Sequence, residues 1–420
     1  MVTREENELI TRVEGGAPMG KLIRENSWIP FALSDNLVAG EAPTPVRLLG
    51  ENFVSWRVPD GRIGFLAEAC PHRQASLLLA RVEGDGLRCI YHGWKTDVSG
   101  SVVEAPTQVV RHDRFCASVK VTHFPVHEAG NIAWVWLGGP VAPPFPDLPF
   151  TAEHGNKTAV TFSNLPVNWL QALEGGLDSV HAGILHQSWT RNVMNEKSDS
   201  MDEGKATVAF TKIPTYEVGE ASFGMRAASL RKQDDGKTYA RVTNFFFPLV
   251  IVAATGFIDR YHVFAFGPVD DTNHLLFFGS YGTSPVSQKD FGAVREDFDP
   301  DSRNFSTVTG DRSNRWGQDR ALMDAGHHSG FSRSVVDEDS VVQVSMGPIV
   351  DRSKDNLSAS DGAVANARLL LLDAIAAYER GDIPPGSARS PDAVHIPDPY
   401  DAVLGPDESW RDIESEYRGV

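Results

Sequence analysis

Four residues in the first quarter of the chain have the types and spacing of a metal centre. Cys70-Pro-His72 is followed, after sixteen intervening residues, by Cys89-Ile-Tyr-His92. Each pair sets a thiolate and an imidazole on one short loop, so two loops can hold one centre from two sides. Thiolates on one iron and neutral imidazoles on the other make a [2Fe–2S] cluster of higher potential than an all-cysteine cluster. The same four ligands could hold a structural zinc ion. A zinc finger, however, takes its histidines from a helix, and these lie among strand-like segments. The third cysteine, Cys116, has no such companion and reads as a buried structural thiol.

A second group lies further on, where Asp178, His181 and His186 are spaced D-x2-H-x4-H. Asp178 and His181 share a helix face. His186 falls about 140° round an ideal helix from His181, so both reach one metal only if the helix ends or bulges near Gly183. Two imidazoles and one carboxylate leave one side of Fe(II) open, the geometry with which non-haem oxygenases bind O₂ beside a substrate. Taken alone, two histidines near a helix end serve equally as surface or core groups. Asp337, Glu338 and Asp339 offer carboxylates, and chemistry alone does not choose among them; a solvated acidic turn is the alternative for those not used. Two arginines sit mid-strand, Arg226 in FGMRAASL and Arg241 in YARVTNFF. A guanidinium facing an apolar cavity pairs a substrate carboxylate bidentately, whereas an outward-facing one does nothing of the kind.

The elements that must position these groups follow from pattern. Residues 1–44 read as a short N-terminal helix and a connector, with Pro30 as a breaker. Residues 45–140 read as an all-β domain: VRLLG, ENFVSWRV and GRIGFLAEA are short strands, Pro59-Asp60-Gly61 is a hairpin turn, and IAWVWLG closes the region. GPVAPPFPDLPF, with its five prolines, is a linker. Residues 151–420 form a second domain. Within it, 168–186 has helical spacing and the polar stretch 190–205 reads as a loop. The runs ATVAFTKIPTYEV, SFGMRAASLRK, YARVTNFFFPLVIVAA, DRYHVFAFGPV and NHLLFFGSYG argue for an antiparallel sheet. Residues 361–380 form an amphipathic helix, capped by Asp361 and ended by Gly381.

Bulk properties narrow the function. An apolar fraction of 41% with 23% charged residues is a globular balance, and the net charge of −17 argues against nucleic acid or an anionic membrane as partner. No apolar run approaches a bilayer span, and the charged start MVTREENELITRVEGG is unlike a signal peptide. Three cysteines are too few for a disulfide framework. The expectation is a cytoplasmic protein with metal-ligating cysteines.

The words around these ligands carry a family resemblance over most of the chain. CPHR and GLRCIYHGWK, with the Pro106 turn of VVEAPT, resemble a Rieske domain. The segment N-W-x-Q-x-x-E-G-x-x-D-x-x-H-x-x-x-x-H is similar to the catalytic motif of ring-hydroxylating oxygenase alpha subunits, and VVQVSMGPIVDRS extends the likeness. The nearest branch is that of phthalate dioxygenase, which includes aryl-ether O-demethylases. The resemblance implies a Rieske domain joined to a helix-grip (START-like) catalytic domain, α+β in class. It implies one [2Fe–2S] cluster per subunit on Cys70, His72, Cys89 and His92, and one Fe²⁺ on His181, His186 and Asp339. Val344 stands where the family usually has Glu, which leaves the ligands untouched. Asp178 is implied to bridge His92 of one subunit to His181 of the next. Glu174, one turn earlier on the same face, either supports Asp178 or forms an interface salt bridge. A homotrimer, or a multiple of trimers, is implied. No G-x-G-x-x-G lies between a strand and a helix, so electrons must come from a separate NAD(P)H-dependent reductase. The substrates expected are O₂ and an aromatic acid, O-demethylated or dihydroxylated. The rivals are a pure Rieske electron carrier and a zinc-stabilised binding protein.

Overall fold

The computed structural model describes residues 2–195, 212–256, 259–286, 310–390 and 395–417. Its first unit is built from short strands because each run is cut by a turn within three to seven residues. β1 (Trp28–Leu33) pairs with β10 (Ile132–Trp136), and β10 with β9 (Val126–Ala129). β2 (Thr44–Leu48), β3 (Glu51–Arg57) and β4 (Ile63–Ala67) form a second small sheet. β5 (Arg81–Glu83), β6 (Gly86–Arg88), β7 (Lys95–Asp97) and β8 (Val102–Glu104) form a third. The Pro59-Asp60-Gly61 turn closes as expected, with the Gly61 N–H on the Val58 carbonyl and φ of +95° at Gly61. A short helix, α3 (His112–Ser118), buries Cys116, in keeping with a structural thiol.

The N-terminal expectation needs correction. Residues ahead of 45 form two helices, α1 (Arg4–Thr11) and α2 (Pro18–Asn26), and then β1. Pro30 does not break the chain; it lies in β1, an edge strand, where the register slips between Pro30 and Ala32. An edge irregularity is where a missing N–H costs least.

The second unit is an eight-stranded antiparallel sheet. Its strands are β11 (Lys157–Leu165), β12 (Thr215–Ala221), β13 (Gly224–Lys232), β14 (Thr238–Phe246), β15 (Val250–Ala254), β16 (Tyr261–Asp270), β17 (Asn273–Gly282) and β18 (Asp401–Leu404). The run YARVTNFFFPLVIVAA is thus two strands, divided at Phe247-Pro248, and its three phenylalanines are all buried. Met225, Ala227, Phe245, Ile251 and Phe266 share one core with the helices α4 (Trp169–Leu177) and, from Gly362–Arg380, the long C-terminal helix. That is the helix-grip arrangement. Asp361 stands at the start of the long helix but does not cap it; its carboxylate accepts from the Ser358 N–H instead. Gly381, at φ +84°, ends it. No helix among the described residues is long and apolar enough to cross a membrane.

After α4 the chain breaks at Asp178, resumes as α5 (His181–Ile184), and continues as α6 (Gln187–Asn195). The expected loop at 190–205 is therefore helical through Asn195; 196–205 and the start of ATVAFTKIPTYEV lie outside the described residues. Later come α7 (Arg320–Asp324) and α8 (Val335–Ser345).

Candidate metal centres

The two Cys–His loops have the same backbone closure. Cys70 N–H donates to the Ala75 carbonyl and its own carbonyl accepts from Gln74; Cys89 N–H donates to Trp94 and its carbonyl accepts from Gly93. The closing residues sit in the left-handed region, Gln74 at φ +62° and Gly93 at φ +75°. At Gly93 a Cβ would lie 3.4 Å from the Pro106 ring, so the Pro106 loop covers the His92 side. Both cysteines are buried in a small apolar core with Leu66, Leu77 and Leu87. The His72 and His92 rings meet edge to face at 4.4 Å, and Trp94 stacks on His72 at 4.6 Å. Nδ1 of each histidine is buried and makes no hydrogen bond. Two thiols and two orphaned ring nitrogens converging on one place fit a [2Fe–2S] cluster, since buried polar atoms are otherwise paired.

The second group also converges. His181, His186 and Asp339 bring one ligand atom each to within 4.8 Å of one another, the sole such set among the described residues. Asp339 Oδ1 lies 3.4 Å from His181 Nε2 and 3.2 Å from His186 Nε2. The helix interruption that this requires falls near Gly183, as expected: α5 ends at Ile184 and α6 begins at Gln187. Sequence alone left three acidic candidates; α8 turns them about 100° apart, and each meets a different partner. Asp337 pairs with Arg333 at 2.6 Å, Glu338 accepts from His186 Nδ1 at 2.6 Å, and Asp339 faces both imidazoles. None is in a solvated turn: Asp337 and Glu338 are buried. Ser329 also donates to Glu338. Burial opposes a charged imidazole, but Asp339 and Glu338 more than offset it and raise His186 to about 10. The pocket thus attracts a cation, and a carboxylate on Nδ1 fixes the tautomer that leaves Nε2 as the ligand atom.

The NWxQ segment aligns the helices that carry these groups. Asn168 caps α4 through Leu170 N–H and donates to the carbonyls of Thr11 and Asp271. Gln171 ties α4 to the end of α8, donating to the carbonyls of Gln343 and Gly347 and accepting from Val350 N–H. Gly175 allows the approach, for a Cβ there would sit 2.9 Å from Gln343.

Asp178 lies at the end of α4, its Oδ2 3.5 Å from His181 Nδ1, with Oδ1 accepting from Val180 N–H. Glu174 does not turn to Asp178. It is clamped within the chain by Arg352 and Arg368, at 2.8 and 2.7 Å, and these hold its carboxyl below the ordinary range in spite of burial. Of the two alternatives for Arg226, the structure takes the one that leaves it out of the site: it packs on the face of the sheet away from α4, bonded to Asn244 and over the Tyr400 ring. Strand residues alternate between faces, and the register Arg241↔Ser229 puts Arg241 on the opposite face, the one that α4 covers. There it donates to Ser179 beside Asp178.

Known proteins match both halves. Residues 27–125 match the Rieske [2Fe-2S] domain and residues 135–419 match the family described as LigXa C-terminal domain like. The chain is 34% identical to the phthalate 4,5-dioxygenase oxygenase subunit of Pseudomonas putida, over 99% of this chain and 96% of that one. It is a Rieske non-haem iron oxygenase alpha subunit. The oxygenase is also 33% identical to the 3-chlorobenzoate-3,4-dioxygenase oxygenase subunit of Comamonas testosteroni, over 92% of each chain. It is 28% identical to the 5,5'-dehydrodivanillate O-demethylase oxygenase subunit of a Sphingobium strain, over 96% of this chain and 88% of that one. Dicamba monooxygenase bound to dicamba shares the fold at 19% identity, with a TM-score of 0.57 over 86% of this chain and 99% of that one. As a family member the oxygenase uses a Rieske [2Fe–2S] cluster and a non-haem Fe²⁺.

The roles of two residues at the oxygenase's site are not marked in the sequence. Glu338 was hidden by its acidic neighbours, and only its place opposite His186 singles it out. Arg231 lies in a run where charge on a strand reads as solvent-facing, yet it is 1% exposed, on the same face as Arg241. No pattern in the sequence marks either.

Proposed function

We propose that the oxygenase holds its cluster with Cys70, His72, Cys89 and His92 and its Fe²⁺ with His181, His186 and Asp339, and oxygenates an aromatic carboxylate. Electrons come from a separate NAD(P)H-dependent reductase, in the cytoplasm, to a homotrimer or a multiple of trimers. In that assembly Asp178 accepts from His92 of the next copy and from His181 of its own. The observation that carries the substrate class is Arg241, on the α4 face of the sheet beside Asp178, where a guanidinium can pair a carboxylate. The three relatives named above act, by their names, on phthalate, 3-chlorobenzoate and dehydrodivanillate, all aromatic acids.

Iron supplies the O₂ chemistry; the protein's groups bind and orient. Arg241 takes the carboxylate end, while Phe264 and Phe278, whose rings lie 4.8 Å apart, offer apolar contact to the ring. Glu338 keeps His186 in one tautomer. With a methoxylated acid the balance is ArOCH₃ + O₂ + 2e⁻ + 2H⁺ → ArOH + HCHO + H₂O, a net O-demethylation, and this is the reading preferred. Ring cis-dihydroxylation is the second reading, favoured by the two dioxygenase relatives at 33% and 34% identity.

Iron and acid-labile sulfide analysis with EPR of the reduced protein tests the centres: about three irons and about two sulfides per chain are expected. Zinc without a rhombic low-g signal would refute them, and about two irons would leave only an electron carrier. Oxygen uptake with vanillate, veratrate and phthalate, scored for formaldehyde or dihydrodiol, then decides the reaction.

A further inference from the structure

Between α4 and α5 the chain is neither helix nor strand, and one residue of that break is held almost entirely by the sheet. Ser179 is buried. Its N–H donates to Tyr216 Oη at 2.8 Å, its Oγ accepts from Arg231 Nη2 at 2.7 Å and from Arg241 Nη1 at 3.1 Å, and its carbonyl accepts from Arg231 at 3.1 Å. Two guanidiniums therefore converge on one neutral hydroxyl. Their other hydrogen bonds among the described residues also end on neutral oxygens, those of Lys212, Ser229 and Ala254. Burial and the neighbouring Arg241 draw Arg231 down to about 10, which still leaves it charged at neutral pH.

Ser179 adjoins the group on which the iron site leans. Asp178 Oδ1 accepts from Val180 N–H, so the carboxylate straddles Ser179. Its other oxygen stands 3.5 Å from His181 Nδ1, which is buried and makes no hydrogen bond. That separation is too long for a well-formed bond, so a small shift of the turn makes or breaks the contact.

We propose that Ser179 is the positioning residue through which an anion bound at Arg241 sets the placement of Asp178 against His181. This rests on the carboxylate-substrate reading above. A carboxylate is a stronger acceptor than a serine hydroxyl and takes two guanidinium N–H groups at once. On arrival it draws the Arg241 donor from Ser179 Oγ, and the 178–180 turn is left to Arg231 and Tyr216. Substrate occupancy is thereby felt at the electron bridge without the substrate touching Asp178.

The test uses the full protein, with phthalate, benzoate and vanillate as probes. In the wild type, the bound acid is expected to change hydrogen exchange at the 178–181 amides even in iron-free protein. In loaded enzyme it is expected to speed oxidation of the reduced cluster by O₂ about tenfold, the middle of the range for coupling between sites. Ser179→Ala is expected to bind the acid within about threefold of wild type yet lose most of both responses, and Ser179→Thr, which keeps the hydroxyl, to recover them. If Ser179→Ala does not fold, Tyr216→Phe removes the other anchor and is expected to weaken both responses. Undiminished responses in a folded variant that binds the acid would overturn the proposal. Failure of all three acids to bind, or equal binding to Arg241→Ala, would overturn the carboxylate reading and this inference with it. The binding measurement separates that failure from a failure of coupling alone.

Discussion

The two metal-binding regions are assembled in opposite ways. Around the cluster, four candidate ligands lie on two short loops, each closed by its own backbone hydrogen bonds and a left-handed residue. Around the second centre, three candidate ligands come from α5, the α5–α6 junction and a helix far down the chain, and their meeting depends on contacts made by other residues. Gln171, Gly175 and Glu338 touch no iron ligand atom that binds metal, yet they bring α4, α8 and His186 into one register. A locally closed site tolerates remote change and is sensitive to its own backbone. A site gathered by tertiary contacts is the reverse.

The sharpest break of this contrast comes from the ligands. His186→Ala or Asp339→Ala is expected to abolish oxygenation and leave about two irons per chain with an intact Rieske spectrum. Cys89→Ala is expected to lose the cluster while the second site still binds Fe²⁺, measured by titration under anaerobic conditions. Next in size, Glu338→Ala is expected to lower Fe²⁺ affinity about 10–100-fold, since it frees His186 Nδ1, with no change in cluster potential. Gln171→Ala strands the Gln343 and Gly347 carbonyls and the Val350 N–H; it is expected to cost about 1–3 kcal/mol in denaturant unfolding and to weaken iron binding more than cluster binding. Gly93→Ala is expected to cost about 1–2 kcal/mol, because a side chain must adopt φ +75° against Pro106, and to show in the cluster spectrum rather than in iron content.

The smallest effect is a pH dependence. His274 is fully buried, its Nδ1–H donating to the Val167 carbonyl, and burial lowers it to about 4. In the unfolded chain it takes a proton near pH 6.5. Above that pH both states are neutral there, and below it the unfolded state binds a proton that the folded state refuses. Stability is therefore present above about pH 6.5 and is lost as pH falls towards 4. Thermal melts across this window should show a decline that His274→Asn reduces.

Much of the first region is legible in the sequence. The types and spacing of Cys70, His72, Cys89 and His92, the hairpin at Asp60-Gly61 and the Pro106 turn are local facts, and short-range hydrogen bonds realise them. His181 and His186 were legible as a pair, and likeness to the family singled out Asp339. Pro30 misled because an edge strand tolerates what a central one does not, and edge position is a property of the sheet.

The sequence by itself determined which residues could bind metal, where the chain turns, and that two iron-dependent regions share one polypeptide. Tertiary structure alone decided that Glu338 meets His186 and Asp337 meets Arg333, why Glu174 belongs to Arg352 and Arg368, and that Arg226 and Arg241 lie on opposite faces. The reason is geometric. Neighbours on a helix point about 100° apart and neighbours on a strand point to opposite faces, but what stands across from each is set by packing between segments distant in the chain. No periodicity within one segment records it.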